Sequence, residues 1–174
     1  MPTPGLFRTG AMALAILAVA SCQTGGVSAS RAGFKKNYLV ARTALEGGQY
    51  AKAARHYAGL LNRAGPLQSR LRLEYAHALL RDGKFDKAAR EARRVVGELT
   101  GSGRSAALMV QGTADHESAR AAISRGRSGL NQINQLKAAR AALDEMLKNH
   151  PELDPLGAMA VRRKTIDLEL GAIQ

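Results

Sequence analysis

Hydrophobic residues fall into three regimes along this chain. From Ala11 to Ala20 every position is apolar. Residues 23–33 are small and polar with no apolar period, and predict a flexible tether with a root-mean-square reach of roughly 18 Å. Beyond it, apolar positions recur at helical spacing and breakers divide the pattern. Helices are predicted over residues 35–47, 50–64, 71–82 and 85–99, with Gly65-Pro66 and Thr100-Gly-Ser-Gly103 as breaks between units. A weaker pair follows. Its first helix starts near Ser105, extra residues fall around 118–132, and its second helix carries Leu136 and ends at Pro151. Met159, Ile166 and Ile173 stand at helical multiples in a final helix over 155–170, which would cap the array.

The first regime has the layout of an export signal. One charge, Arg8, precedes the ten-residue apolar run, which is shorter than the roughly 20 residues a spanning helix needs. Val19-Ala20-Ser21-Cys22 resembles the bacterial lipobox, in which an aliphatic residue and two small ones precede an obligatory cysteine. The resemblance implies cleavage after Ser21, diacylglyceryl transfer to the Cys22 sulfur, and usually acylation of the new amino group. An ordinary secretory signal with a cysteine near the mature start is the alternative. Against it, Cys22 is the single cysteine, so no intrachain disulfide would occupy it. Gln23 stands where an Asp would resemble the inner-membrane retention signal, and this points to the outer membrane, facing the periplasm. The segments expected are a signal peptide over 1–21, a lipidated tether over 22–33 and a helical domain over 34–174.

Self-similarity organises the rest. Gly48-Gln-Tyr-Ala-Lys-Ala-Ala-Arg55 aligns with Gly83-Lys-Phe-Asp-Lys-Ala-Ala-Arg90 at an offset of 35 residues. Glycine, aromatic and alanine at these places resemble the tetratricopeptide repeat, a helix-turn-helix unit, and Gly48, Tyr50 and Ala53 match Gly83, Phe85 and Ala88. Ala92 departs from the larger Tyr57 of the first unit. Leu136 and Ala139 take the aromatic and small places of a third unit, and Ala88 to Ala139 is 51 residues, so that unit carries an insertion. The expected fold is all-α: a solenoid of about three helical hairpins over 34–66, 69–102 and 104–153, with a cap over 155–174. The resemblance places a peptide-binding groove on the first helix of each unit, at Lys35, Tyr38, Arg42, Leu45 and Glu46 and at Arg70, Leu73, His77, Leu80 and Arg81.

Composition adds two constraints. Aromatic content is 4% and tryptophan is absent, which favours helices over strands. The formal net charge is +12, and losing Arg8 with the signal leaves +11. In a cytosolic protein that charge would suggest nucleic acid; export removes nucleic acid from the expected partners. No catalytic motif, cofactor motif or metal spacing is present: His56, His77, His116 and His150 are dispersed, and Gly101-Ser-Gly103 reads as a loop. The expectation is therefore a lipid-anchored scaffold whose groove takes an acidic or carboxylate-ended peptide during assembly of an envelope machine, in the manner of the pilotin and pilus-assembly lipoproteins it resembles. The alternative is a basic surface that holds acidic glycan or lipid.

Overall fold

The computed structural model describes residues 25–173, with side chains from Arg31 onward, so the signal segment, its apolar run and Cys22 lie outside the described residues. The described chain contains seven α-helices and no strand: α1 (Gly25–Glu46), α2 (Tyr50–Leu60), α3 (Gln68–Arg81), α4 (Phe85–Val96), α5 (Gly101–Ile123), α6 (Leu130–Asn149) and α7 (Ala158–Ala172). Each helix packs on its neighbours in sequence, and α5 also touches α3 and α7.

The amphipathic pattern sets the packing. In α4, Ala88, Ala89, Ala92 and Val95 are buried at positions i, i+1, i+4 and i+7, while Lys87, Arg90, Arg93 and Arg94 face water. Alanine dominates the buried set, and Ala53, Ala88 and Ala139, the small positions of the three units, have no exposed surface. Small side chains let helix axes approach closely. The limit is reached at Gly112 of α5, where a Cβ would lie 2.8 Å from Leu143 Cγ and 3.1 Å from the Ala139 carbonyl oxygen of α6.

Glycine also sets the reversals. Gly48 and Gly83 adopt φ of 74° and 71°. The two turns share one hydrogen-bond pattern: the glycine N–H donates to the carbonyl three residues back, and the next N–H donates to the carbonyl five back. This left-handed closure satisfies carbonyls that the helix end leaves orphaned. A third turn repeats it. Gly126 has φ 76°, its N–H donates to Ile123, and the Arg127 N–H donates to Ala122.

Two expectations are corrected. The tether predicted over 22–33 is helical from Gly25 on, because packing of Phe34 onward nucleates α1 and each added upstream residue extends it by one hydrogen bond. The break expected at Thr100–Gly103 lies instead at residues 97–100, so that α4 ends at Val96 and α5 starts at Gly101, after an extended Thr100, rather than near Ser105. The extra residues expected around 118–132 lengthen both helices of the third hairpin, α5 to 23 residues and α6 to 20, against 14 and 12 in α3 and α4. The hairpin tip over residues 124–131 consequently stands exposed.

The last helix covers α6 as expected. Ile166 and Leu170 are buried against Leu136, Ala139 and Leu143, with Met159 and Ile173 packed at the margins. Its start is held by Asp154, whose carboxylate accepts the Met159 and Ala160 N–H groups at 3.0 Å. Among the described residues, no helix is long and apolar enough to cross a membrane.

Candidate functional site

The face shared by α1 and α3 gathers half of the predicted groove residues around a carboxylate, Glu74, that is absent from the predicted set. Glu74 accepts the Tyr38 hydroxyl at Oε1 (2.9 Å) and the Tyr57 hydroxyl at Oε2 (2.7 Å), and Arg42 Nη1 stands 3.7 Å from Oε2. Tyr57 is fully buried in α2. Burial, and then its bond to Glu74, push the Tyr57 phenol far above its ordinary range, so it stays a donor. Tyr38 is raised by the same two causes. The two rings meet edge to face at 6.2 Å between centroids, which fixes α1 on α2 beneath the carboxylate.

Around this acid, Phe34, Tyr38, Leu67, Arg70 and Leu71 line a cleft of about 240 Å³. Arg70 is exposed, one helical turn before Glu74, and brings a cation to the cleft beside the apolar walls. Arg42 is engaged with Glu46 at 2.6 Å as well as near Glu74. Arg81 donates to the Tyr50 hydroxyl and stacks over that ring at 4.7 Å from its centroid. His77 is half-buried; burial and the nearby Arg81 and Arg42 charges hold its pKa below the usual histidine value, so near neutral pH it is an uncharged imidazole.

Four predicted groove residues fall elsewhere. Lys35 lines a separate cavity on the other flank of α1, with Lys36, Leu39 and Lys52, because its place on the helix turns it away from α3. Leu73 packs against Ala76, Ala92 and Val110 between α3, α4 and α5, so it belongs to the core. Leu45 and Leu80 are likewise packed against the core as partly buried side chains. The groove therefore has Tyr38, Arg42, Arg70, His77 and Arg81, with Glu74 at its centre. Its own carboxylate occupies part of the cation set that an acidic peptide would need.

A second polar cluster joins α5 to α7. His116, almost fully buried, donates through Nε2 to Glu169 at 2.8 Å, and Arg162 Nη1 donates to His116 Nδ1 at 2.8 Å. The same Arg162 nitrogen reaches Glu117 at 2.6 Å. Burial, followed by the Arg162 charge against the pull of Glu169, lowers the His116 pKa, consistent with a neutral ring that accepts at Nδ1. Beside it, Asp115 is buried and pairs with Arg93 at 2.6 Å; burial raises its pKa while Arg93 opposes the rise. These contacts pin α5 to α4 and α7, and Glu117 and Glu169 border a cavity of about 520 Å³. Among the described residues, no group of three His, Cys, Asp or Glu side chains is placed to hold a metal ion.

No family model, no curated protein and no solved structure matches this chain.

Proposed function

We propose that the protein is an outer-membrane lipoprotein, acylated at Cys22, whose helical domain is a tetratricopeptide-like repeat scaffold that binds a protein partner during assembly of a pilus- or secretion-type envelope machine. The observation that carries the repeat reading is the recurrence of one turn geometry at Gly48, Gly83 and Gly126, each joining two antiparallel neighbours. Helical hairpins that reverse in the same way stack their faces and leave a continuous surface, the ordinary use of which is to bind another chain. The lipobox-like Val19-Ala20-Ser21-Cys22 supports the anchor. Two or three acyl chains hold a protein stably at a membrane where one does not.

The α1–α3 cleft supports the binding reading. Phe34, Leu67 and Leu71 offer an apolar pocket, Arg70, which has no ion pair among the described residues, offers a fork for a carboxylate, and Glu74 fixes the walls. A partner segment with a large apolar side chain next to an acidic group fits this arrangement better than a uniformly acidic peptide does. The test is crosslinking in living cells of the intact chain beside Arg70→Glu and Phe34→Ala. The reading expects the specific crosslinks of the wild type to be lost in both; if every one persists, the groove reading is overturned. Metabolic labelling with a palmitate analogue should vanish in Cys22→Ala, and retained label would overturn the anchor.

A further inference from the structure

The cations of this chain are not evenly committed. Arg72, Arg93, Arg104 and Arg163 are each tied to a carboxylate on a neighbouring helix. By contrast, among the described residues Lys84, Lys87 and Arg90 at the start of α4, and Arg125 and Arg127 at the tip of the α5–α6 hairpin, form no ion pair. These five come from two segments about 40 residues apart and are brought to one place because the lengthened α5–α6 hairpin overhangs the start of α4.

Two adjoining cavities result, of about 370 and 380 Å³, and both are bordered by Asp86, Ser118 and Arg125. Asp86 is the acidic residue on these walls, and it accepts the Ser118 hydroxyl, to which Gln135 also donates at 3.2 Å. The first cavity is cationic, with Phe85 at its rim. The second is lined on its α6 side by Asn131, Gln132, Asn134 and Gln135, and Ala122 is its one apolar residue.

We propose that this double cleft binds an acidic oligosaccharide, with Lys84, Lys87, Arg90, Arg125 and Arg127 taking its carboxylates and the α6 amides taking its hydroxyls. Three features select that ligand class. Side-chain amides present a donor and an acceptor side by side, the complement of vicinal sugar hydroxyls, and arginine forks match carboxylates. The second cavity gives an acyl chain no apolar floor to lie on. A nucleic acid strand binds through successive aromatic platforms, whereas a single half-buried ring, Phe85, borders the cleft. The site shares no residue with the α1–α3 groove or with Cys22, so it stands or falls separately from the scaffold function.

The test uses the full-length chain and titrates a defined-length oligogalacturonate at physiological salt. A neutral maltooligosaccharide of equal length, phosphatidylglycerol vesicles and single-stranded DNA run in parallel. Saturable binding of the galacturonate and none of the maltooligosaccharide is expected. Arg125→Glu/Arg127→Glu should weaken it by at least about tenfold, since each lost charge-assisted bond is of that order. Gln132→Ala/Asn134→Ala should weaken it several-fold, while Lys35→Glu/Lys36→Glu, on the far flank of α1, should leave it within about twofold. All substituted residues line surface cavities, and unchanged circular dichroism establishes that each variant folds. Equal loss from the Lys35/Lys36 reversal, no effect of the amide pair, or tighter binding of vesicles or DNA through the same arginines would each overturn the proposal.

Discussion

Gly112→Ala adds one methyl group where α5 meets α6, and its cost can be worked from the contacts. The new Cβ would stand 2.8 and 3.0 Å from Leu143 Cγ and Cδ2 and 3.1 Å from the Ala139 carbonyl oxygen. Carbon atoms in contact prefer about 3.5–4.0 Å. Leu143 is fully buried and the Ala139 oxygen is part of a helix backbone, so neither can step aside cheaply. Overpacking of this kind costs about 1–3 kcal/mol, and the better helix propensity of alanine returns about 1 kcal/mol. The expected result is a net loss of about 1–2 kcal/mol, toward the upper half of that balance because a backbone atom is among the clashes. Gly59→Ala is the internal control: it lies in α2 with nothing within 4 Å of the new Cβ, so the same substitution should raise stability by about 0.5–1 kcal/mol. Urea denaturation followed by circular dichroism reads both. A Gly112→Ala midpoint at or above that of Gly59→Ala would refute the tight crossing. A second check is the double variant: Leu143→Ala alone costs about 2–5 kcal/mol, and it should cost less when Gly112 is already alanine, because it then also relieves the clash.

Glu74→Ala should destabilise by about 1–3 kcal/mol, since the buried Tyr57 hydroxyl loses its acceptor, and adding Tyr57→Phe should recover part of the loss in thermal denaturation; no recovery would count against the Tyr57–Glu74 bond as the cause. Asp154→Ala should cost about 1 kcal/mol and speed hydrogen exchange at the Met159 and Ala160 amides, with unchanged exchange there arguing that the α7 start is held by other contacts. His116 sets a pH dependence. Its folded pKa lies below 6.5, so the unfolded chain binds the proton more readily; the His116 contribution is present above the unfolded pKa and is lost as pH falls below 6.5 toward the folded value. Stability should therefore drop on acidification across that window, and His116→Gln should flatten the slope; an equal slope in the variant would place the effect on other groups, such as His77.

The parts of the fold written in local pattern were legible in the sequence. Gly48 and Gly83 with their following aromatic residues located two reversals, and Met159, Ile166 and Ile173 located the inner face of α7. The third reversal at Gly126 escaped because no aromatic residue follows it; Leu136, which takes that role in the core, lies ten residues on, inside a helix whose first turns belong to the insertion. Glu74 was passed over although it lies one turn from Arg70 and three residues before His77, because its role depends on hydroxyls from α1 and α2 that only packing brings to it. Leu73 fits a groove position by its spacing from Gly83, yet the long α5 covers that side of α3 and makes it core. His116 and Glu117, whose side chains diverge as neighbours on one helix, are joined by Arg162 from 45 residues away. Burial at one end and long-range ion pairs at the other are tertiary facts, and no local period carries them.

The early start of α1 has a mechanical consequence. If Cys22 is acylated, only residues 23 and 24 separate the lipid from a helix of 22 residues, about 33 Å long at 1.5 Å per residue. From Gly25 on, the connection is then a lever arm rather than a slack leash. A leash lets every face of the domain sample the bilayer equally. A lever confines the domain to a cone of tilts, sets the height at which each surface is carried, and couples any pull on the lipid to the α1–α2 interface through the Tyr38–Glu74–Tyr57 contacts.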